Sequence, residues 1–157
     1  MITINSILGN IFKGENLEKE NFEEIKISRI DLEKRILRKK TNLGTDVGIN
    51  LDSSIRLQHG DVIGNNEIKI IVKQIPEKVI SVKLKENTQN IGIILGHIIG
   101  NRHRPISIED KIILFPIQED SELEIFQRLF KNIIDHVELN IKETIFLPHT
   151  SADVHEH

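Results

Sequence analysis

Residues 79–147 read VISVKLKENTQNIGIILGHIIGNRHRPISIEDKIILFPIQEDSELEIFQRLFKNIIDHVELNIKETIFL. Val79 to Leu84 alternates apolar and basic side chains, the pattern of a strand with one exposed face. Asn87 or Thr88 then offers a short side-chain oxygen to cap a helix, and the apolar run that follows continues to Ile99. Gly100 and Asn101 end that helix, because both residues tolerate the left-handed backbone of a helix C-terminus. Ile106 to Ile117 reads as two strands folded about Asp110-Lys111. Glu119, Asp120 and Ser121 open a second helix with acidic groups where the dipole favours them, and Leu123, Phe126, Leu129, Phe130 and Ile133 recur at helical spacing. Val137 to Leu147 alternates again as a last strand. The order strand, helix, strand, strand, helix, strand is that of a ferredoxin-like βαββαβ domain.

Upstream the rhythm differs. Ile2 to Phe12, Ile25 to Ile30, Ile36 to Lys40, Val47 to Leu51 and Ile68 to Ile75 are short β-branched segments. Asn42-Leu43-Gly44, Gly60-Asp61 and Gly64-Asn65-Asn66 punctuate them as turns, and no convincing amphipathic helix intervenes. Pro76 follows the last of these strands and precedes the charged pair Glu77-Lys78, which makes it the expected domain boundary. The fold class expected is α+β: a β-rich domain over residues 1–75, a ferredoxin-like domain over 76–148, and a flexible His-containing tail over 149–157.

The whole chain has 157 residues, 38% of them hydrophobic, and a formal charge of -3 from 21 basic and 24 acidic side chains. That is enough for one ordinary domain or two small ones, with no global attraction to phosphate or anionic lipid. Cysteine is absent, which excludes disulfides, thiolate catalysis and Cys-type zinc or iron-sulfur sites. A transition metal here would be held by His and carboxylates. With six Phe and neither Trp nor Tyr, the aromatic pair that stacks bases on ferredoxin-like RNA-binding domains is missing, so no nucleic-acid partner is expected. The longest apolar stretch, Ile91 to Ile99, is too short to span a bilayer, and the amino terminus lacks a basic region followed by an apolar one. The expectation is a cytoplasmic protein with no membrane partner. Phosphate-loop, nucleophile-elbow and His-Glu-x-x-His signatures are also absent from the sequence.

Seven histidines carry the remaining chemistry. His59, in a Gln-His-Gly-Asp turn, and His136, after the second helix, read as solvated surface residues. His97, flanked by Gly96 and Ile98 on the apolar helix, reads as a satisfied core or interface imidazole. His103 follows the helix terminator, where a side chain can project while the preceding turn fixes its backbone, which suits an accessible, oriented ligand. Gly92, Gly96 and Gly100 recur every four residues on one helix face. Two readings stand: tight packing on the protein's own sheet, or a two-fold contact that brings two copies of His103 near one axis. After Pro148 the tail has little apolar content, so mobility is expected, with His149, His155 and His157 open to metal capture. The basic run Lys34 to Lys40 fits the outer face of an edge strand.

The segment Gly96-His97-Ile98-Ile99-Gly100-Asn101-Arg102-His103-Arg104-Pro105 closely resembles the urease accessory protein UreE family of nickel metallochaperones. The order of a β-rich domain, a βαββαβ domain and a His-containing tail extends the resemblance over the whole chain. Arg35-Ile36-Leu37-Arg38 with Gly44 to Leu51 resembles the family's amino-terminal domain. The resemblance implies a homodimer in which His103 meets its symmetry mate and binds Ni(II), with His149, His155 and His157 as further candidate ligands. It also implies an amino-terminal domain that contacts urease apoprotein and accessory proteins, including the GTPase UreG, and no catalytic activity. The short tail, and the lack of an internal His pair between Lys111 and Ile117, point to delivery of one or a few ions rather than storage. Zn(II) and Cu(II) are the expected competitors, since imidazole sites follow the Irving-Williams order. Two rival readings remain: a metal-dependent hydrolase, which needs at least three converging ligands and an open water position, and a metal-free adaptor.

Overall fold

Isoleucine and valine fit the pleated, half-buried surface of a sheet, and the β-branched segments of the first 75 residues form strands around an aliphatic core. The computed structural model describes residues 1–14, 21–86 and 89–149. The chain forms two compact units, Met1–Ile75 and Pro76–His157.

The first unit contains β1 (Ile2–Ile4), β2 (Ile7–Asn10), β3 (Glu23–Ile27), α1 (Arg29–Leu32), β4 (Ile36–Lys40), β5 (Asp46–Asn50), β6 (Asp61–Gly64) and β7 (Lys69–Gln74). Two sheets result, ordered β1-β5-β4 and β2-β6-β7-β3. The β1/β5 and β3/β7 pairs are parallel, and the others are antiparallel. Ile4, Val47 and Ile49 of the first sheet share one core with Ile25, Ile63 and Val72 of the second.

Three local expectations change here. The run Ile2 to Phe12 is two strands, because the chain switches sheets at Asn5-Ser6 and pairs first with β5, then with β6. Ile25 to Ile30 is strand only to Ile27. There Ser28 caps a one-turn helix, its Oγ accepting the Asp31 N–H at 3.2 Å, and Ile30 is left exposed. Residues 61–64, bracketed by turn signals on both sides, form β6, whose four residues are all buried.

The second unit contains β8 (Glu77–Leu84), α2 (Gln89–Asn101), β9 (Ser107–Glu109), β10 (Ile112–Pro116), α3 (Glu122–Leu129), a 3-10 turn at Ile134–His136, and β11 (Val137–Thr144). The sheet runs β11-β8-β10-β9 with every neighbour antiparallel. One face carries the helices: Ile80 and Phe115 pack with Leu95 and Ile99 of α2 and with Phe126 of α3. The Phe115 and Phe126 rings lie 4.6 Å apart between centroids.

The half-exposed strand expected at Val79 to Leu84 is instead buried on both faces, from Val79 through Val82. Val79 and Leu114 on the sheet's second face are covered by Phe146, which follows β11 and is 1% exposed. The last strand therefore ends at Thr144, short of Leu147, so that Phe146 can turn onto that face. The expected cap at Asn87 or Thr88 lies outside the described residues.

Candidate metal centre

Helix α2 buries Leu95 and Ile99 and turns its opposite side outward. Its helical residues run through Asn101, after which the Arg102 N–H donates to the Ile99 carbonyl (3.1 Å) and the His103 N–H to the Gly100 carbonyl (3.0 Å). These three-residue spacings tighten the last turn. The left-handed residue is His103 itself, with φ 54°, rather than Gly100 or Asn101. A side chain with a β-carbon is uncommon in that region and costs free energy there, so its presence at a turn marks a position held by its surroundings. The His103 side chain is exposed.

What holds the turn lies on its far side. Pro105 biases Arg104 toward extended backbone. The Arg104 guanidinium donates to the Pro116 carbonyl (2.8 Å) and to Glu122 Oε1 (2.6 Å), and lies 5.8 Å from the centre of the Phe126 ring. Glu122, in the first turn of α3, also accepts the backbone N–H groups of Gln118 and Glu119. Burial works to raise its pKa, yet the two backbone donors and the Arg104 guanidinium outweigh it and hold the carboxyl below its usual range. His103 thus sits between a helix end packed by Ile99 and a guanidinium tied to β10 and α3. The Arg104–Glu122 pair was not singled out from sequence; an Arg-Pro step beside the candidate ligand and a Glu in a helical first turn were the available signals.

The glycine stripe does not pack on the protein's own sheet. A β-carbon placed on Gly92, Gly96 or Gly100 would meet nothing within 4 Å. Ile93 and Ile94 of the same helix are exposed, by 64% and 43%. His97 is exposed rather than in the core, with its Nε2 3.2 Å from Asn101 Nδ2.

The other histidines separate clearly. His59 is half-buried rather than solvated: its Nδ1 accepts the Gln74 N–H at 3.0 Å, and its carbonyl accepts Asn10 Nδ2 at 3.0 Å. Burial, then the nearby Lys73 charge, pushes its pKa down. His136 lies 3.6 Å from Glu86 across a solvent-facing gap. His149, where mobility was expected, donates its backbone N–H to the Ile106 carbonyl (2.8 Å), and its Nδ1 accepts the Ile108 N–H (3.0 Å). His155 and His157 lie outside the described residues. Among the described residues, no three His, Asp or Glu side chains gather to hold a metal. The three-ligand requirement of the hydrolase reading is therefore not met among them.

In the basic run, Arg38 pairs with Asp46 at 2.7 Å, and Lys34 and Lys39 pair with Asp31 at 2.7 and 3.2 Å on the edge of the β1-β5-β4 sheet. Three of its charges are partnered within the unit. Among the described residues, no helix is long and apolar enough to cross a membrane.

A family model described as the UreE urease accessory protein, N-terminal domain, matches residues 4–75. The urease accessory protein UreE of Staphylococcus epidermidis is 34% identical over 122 residues, covering 77% of this chain and 79% of the relative. That of Staphylococcus aureus is 34% identical over 112 residues, covering 71% and 74%, and that of Streptococcus vestibularis 28% identical over 147 residues, covering 94% and 95%. The chain belongs to the UreE family of urease accessory proteins, chaperones of urease maturation that are not themselves enzymes.

Proposed function

We propose that this protein is a homodimeric Ni(II) carrier that delivers its ion for assembly of the urease active site, with His103 of each subunit as the principal ligand. The observation that carries the reading is His103 itself: an exposed imidazole on a left-handed backbone, at the end of a helix that exposes Ile93, Ile94 and His97 and has open space over Gly92, Gly96 and Gly100. Each glycine weakens a helix interior by roughly 0.5–1 kcal/mol relative to alanine. Nothing among the described residues requires their lack of a β-carbon, whereas a second helix crossing closely would. A two-fold contact there brings two His103 side chains toward one axis, so that each subunit supplies one ligand of a shared ion.

The division of labour follows from the same reading. The second unit is ferredoxin-like, supported by its antiparallel order β11-β8-β10-β9, and carries the dimer contact and the metal. The first unit docks urease apoprotein and accessory proteins such as the GTPase UreG. Two imidazoles leave most positions of a six-coordinate Ni(II) to water and to the segment that holds His149, His155 and His157. An ion so held can be released, as a carrier requires. Imidazole must be neutral to coordinate, so uptake weakens in mild acid, and Cu(II) and Zn(II) compete.

Native mass spectrometry with and without Ni(II), paired with calorimetry, tests the proposal. The expected result is a dimer that takes up Ni(II) saturably, and a His103→Ala variant that stays dimeric but loses the tightest binding event. Unchanged binding in that variant would reject the site. No saturable uptake by the wild type would favour the adaptor reading instead.

A further inference from the structure

We infer that His149 is a positioning residue, the latch of a strap that roots the chain's last segment beside the His103 turn, and is not itself a nickel ligand. The inference rests on the nickel reading above, and its own ground is hydrogen-bond chemistry.

Beyond Thr144 the chain leaves β11, at one edge of the sheet, and reaches β9 at the other. Three inter-strand spacings separate those edges, about 14 Å, which five extended residues span. Phe146 seals the crossing against Val79 and Leu114. His149 closes it: its backbone N–H donates to the Ile106 carbonyl, its Nδ1 accepts the Ile108 N–H at 3.0 Å, and Ser107 Oγ lies 3.3 Å from the same nitrogen.

That bond decides what the ring can do. A neutral imidazole has one protonated nitrogen and one lone-pair nitrogen. With Nδ1 accepting from Ile108, the proton resides on Nε2, and neither nitrogen has a lone pair to offer a metal. Coordination through Nε2 would move the proton to Nδ1, where it would face the Ile108 N–H. Ligation by His149 and docking of the strap are therefore mutually exclusive.

The docked strap has a use for metal capture. Ile106 lies three residues beyond His103, a span of at most about 10 Å. His149 is thus held near the proposed ligand. With the latch open, the nearest attachments before it are Phe146 and Thr144, toward the opposite edge. A root close to the site raises the effective concentration of any donor that follows it.

Asparagine separates a latch from a ligand, because its Oδ1 can accept the Ile108 N–H while it is a poor Ni(II) donor. Ni(II) affinity of the full-length dimer and hydrogen exchange of the Ile108 amide, the latter measured without metal, are compared in wild type, His149→Asn and His149→Ala. The expected result is wild-type affinity and Ile108 protection in His149→Asn. His149→Ala should lose that protection and bind Ni(II) about tenfold more weakly. If His149→Asn protects Ile108 but loses affinity as fully as His149→Ala, the ring is a ligand and the inference is overturned. It is equally overturned if His149→Ala keeps both protection and affinity. Should asparagine fail to protect Ile108, the wild-type imidazole decides: its 15N shifts must report a proton on Nε2 before and after one Zn(II) per dimer is added, and zinc on Nε2 refutes the latch. Absence of saturable Ni(II) uptake by the wild type would reject the nickel reading while leaving the Ile108 result intact, so the two failures are distinguishable.

Discussion

Glycine serves opposite ends in the two units. In the first, Gly60 (φ 88°), just before β6, and Gly64 (φ 149°), its last residue, occupy left-handed backbone. A β-carbon would run into the Phe12 ring at Gly60 and into the Ile68 carbonyl at Gly64. In the second, Gly92, Gly96 and Gly100 lie in ordinary helix with open space where a β-carbon would go. The first pair is explained by neighbours in the same unit, and the second set by nothing among the described residues. A residue that weakens its element without an internal reason points to a partner outside it.

The contrast is most easily broken at Gly64. Gly64→Ala places a β-carbon against a backbone carbonyl at a φ that side chains rarely adopt, and should destabilise the first unit by about 3 kcal/mol, read by urea denaturation. A loss below about 1 kcal/mol would mean the β6 turn relaxes, and the difference between the two glycine sets would shrink.

In the second unit, Glu122→Ala removes the acceptor of one guanidinium and two backbone donors. A cost of about 2 kcal/mol is expected from the loss of charge-assisted hydrogen bonds, again by denaturation. Because the Glu122 pKa is lowered in the fold, its contribution is full above the unfolded value near 4.5 and is lost as pH falls through the lower folded value.

His59 gives the first unit a milder acid sensitivity. Its pKa is lowered by burial and by Lys73, so its neutral form is favoured in the fold. The stability it confers is full above the unfolded value of 6.5 and declines as pH falls through the lower folded value. Denaturation midpoints taken from about pH 7.5 to about pH 5 should show this decline, and His59→Asn should flatten it.

The smallest effects test the open helix face. His103→Gly should raise subunit stability by about 1 kcal/mol by relieving the φ of 54°, while abolishing the tightest nickel event. Thermal unfolding and calorimetry on the same sample check both halves. Gly96→Ala should stabilise the isolated subunit by about 0.5–1 kcal/mol and weaken the dimer, read by sedimentation at falling concentration. If association is untouched, the glycine face is not the contact.

Local patterns carried much of this molecule. The extent of β4, the β9–β10 hairpin about Asp110 and the start of α3 follow from period, turn residues and acidic first-turn groups, whereas the helical spacing that runs on to Ile133 outlasts α3, which ends at Leu129. His103 was visible because it follows a helix stop within a distinctive ten-residue segment. The Ser28 cap was equally local, but it was obscured by apolar residues on both sides. The switch of sheets at Asn5-Ser6 could not be seen in alternation, since a period of two continues through a change of partner.

The chain's composition and periodicity settled that this would be an α+β protein, with the second unit's strands and helices in this order and a histidine at the end of its long helix. Which faces are covered depended on residues far apart in the chain: Phe146 over Val79 turns a half-exposed pattern into a buried strand. The roles of the imidazoles depended on the same thing. His59 and His149 accept backbone N–H groups 15 and 41 residues away, and Arg104 grips Glu122 across 18. Periodicity records which side of an element is apolar. What meets that side, and which lone pair is already engaged, is set only when distant segments pack together.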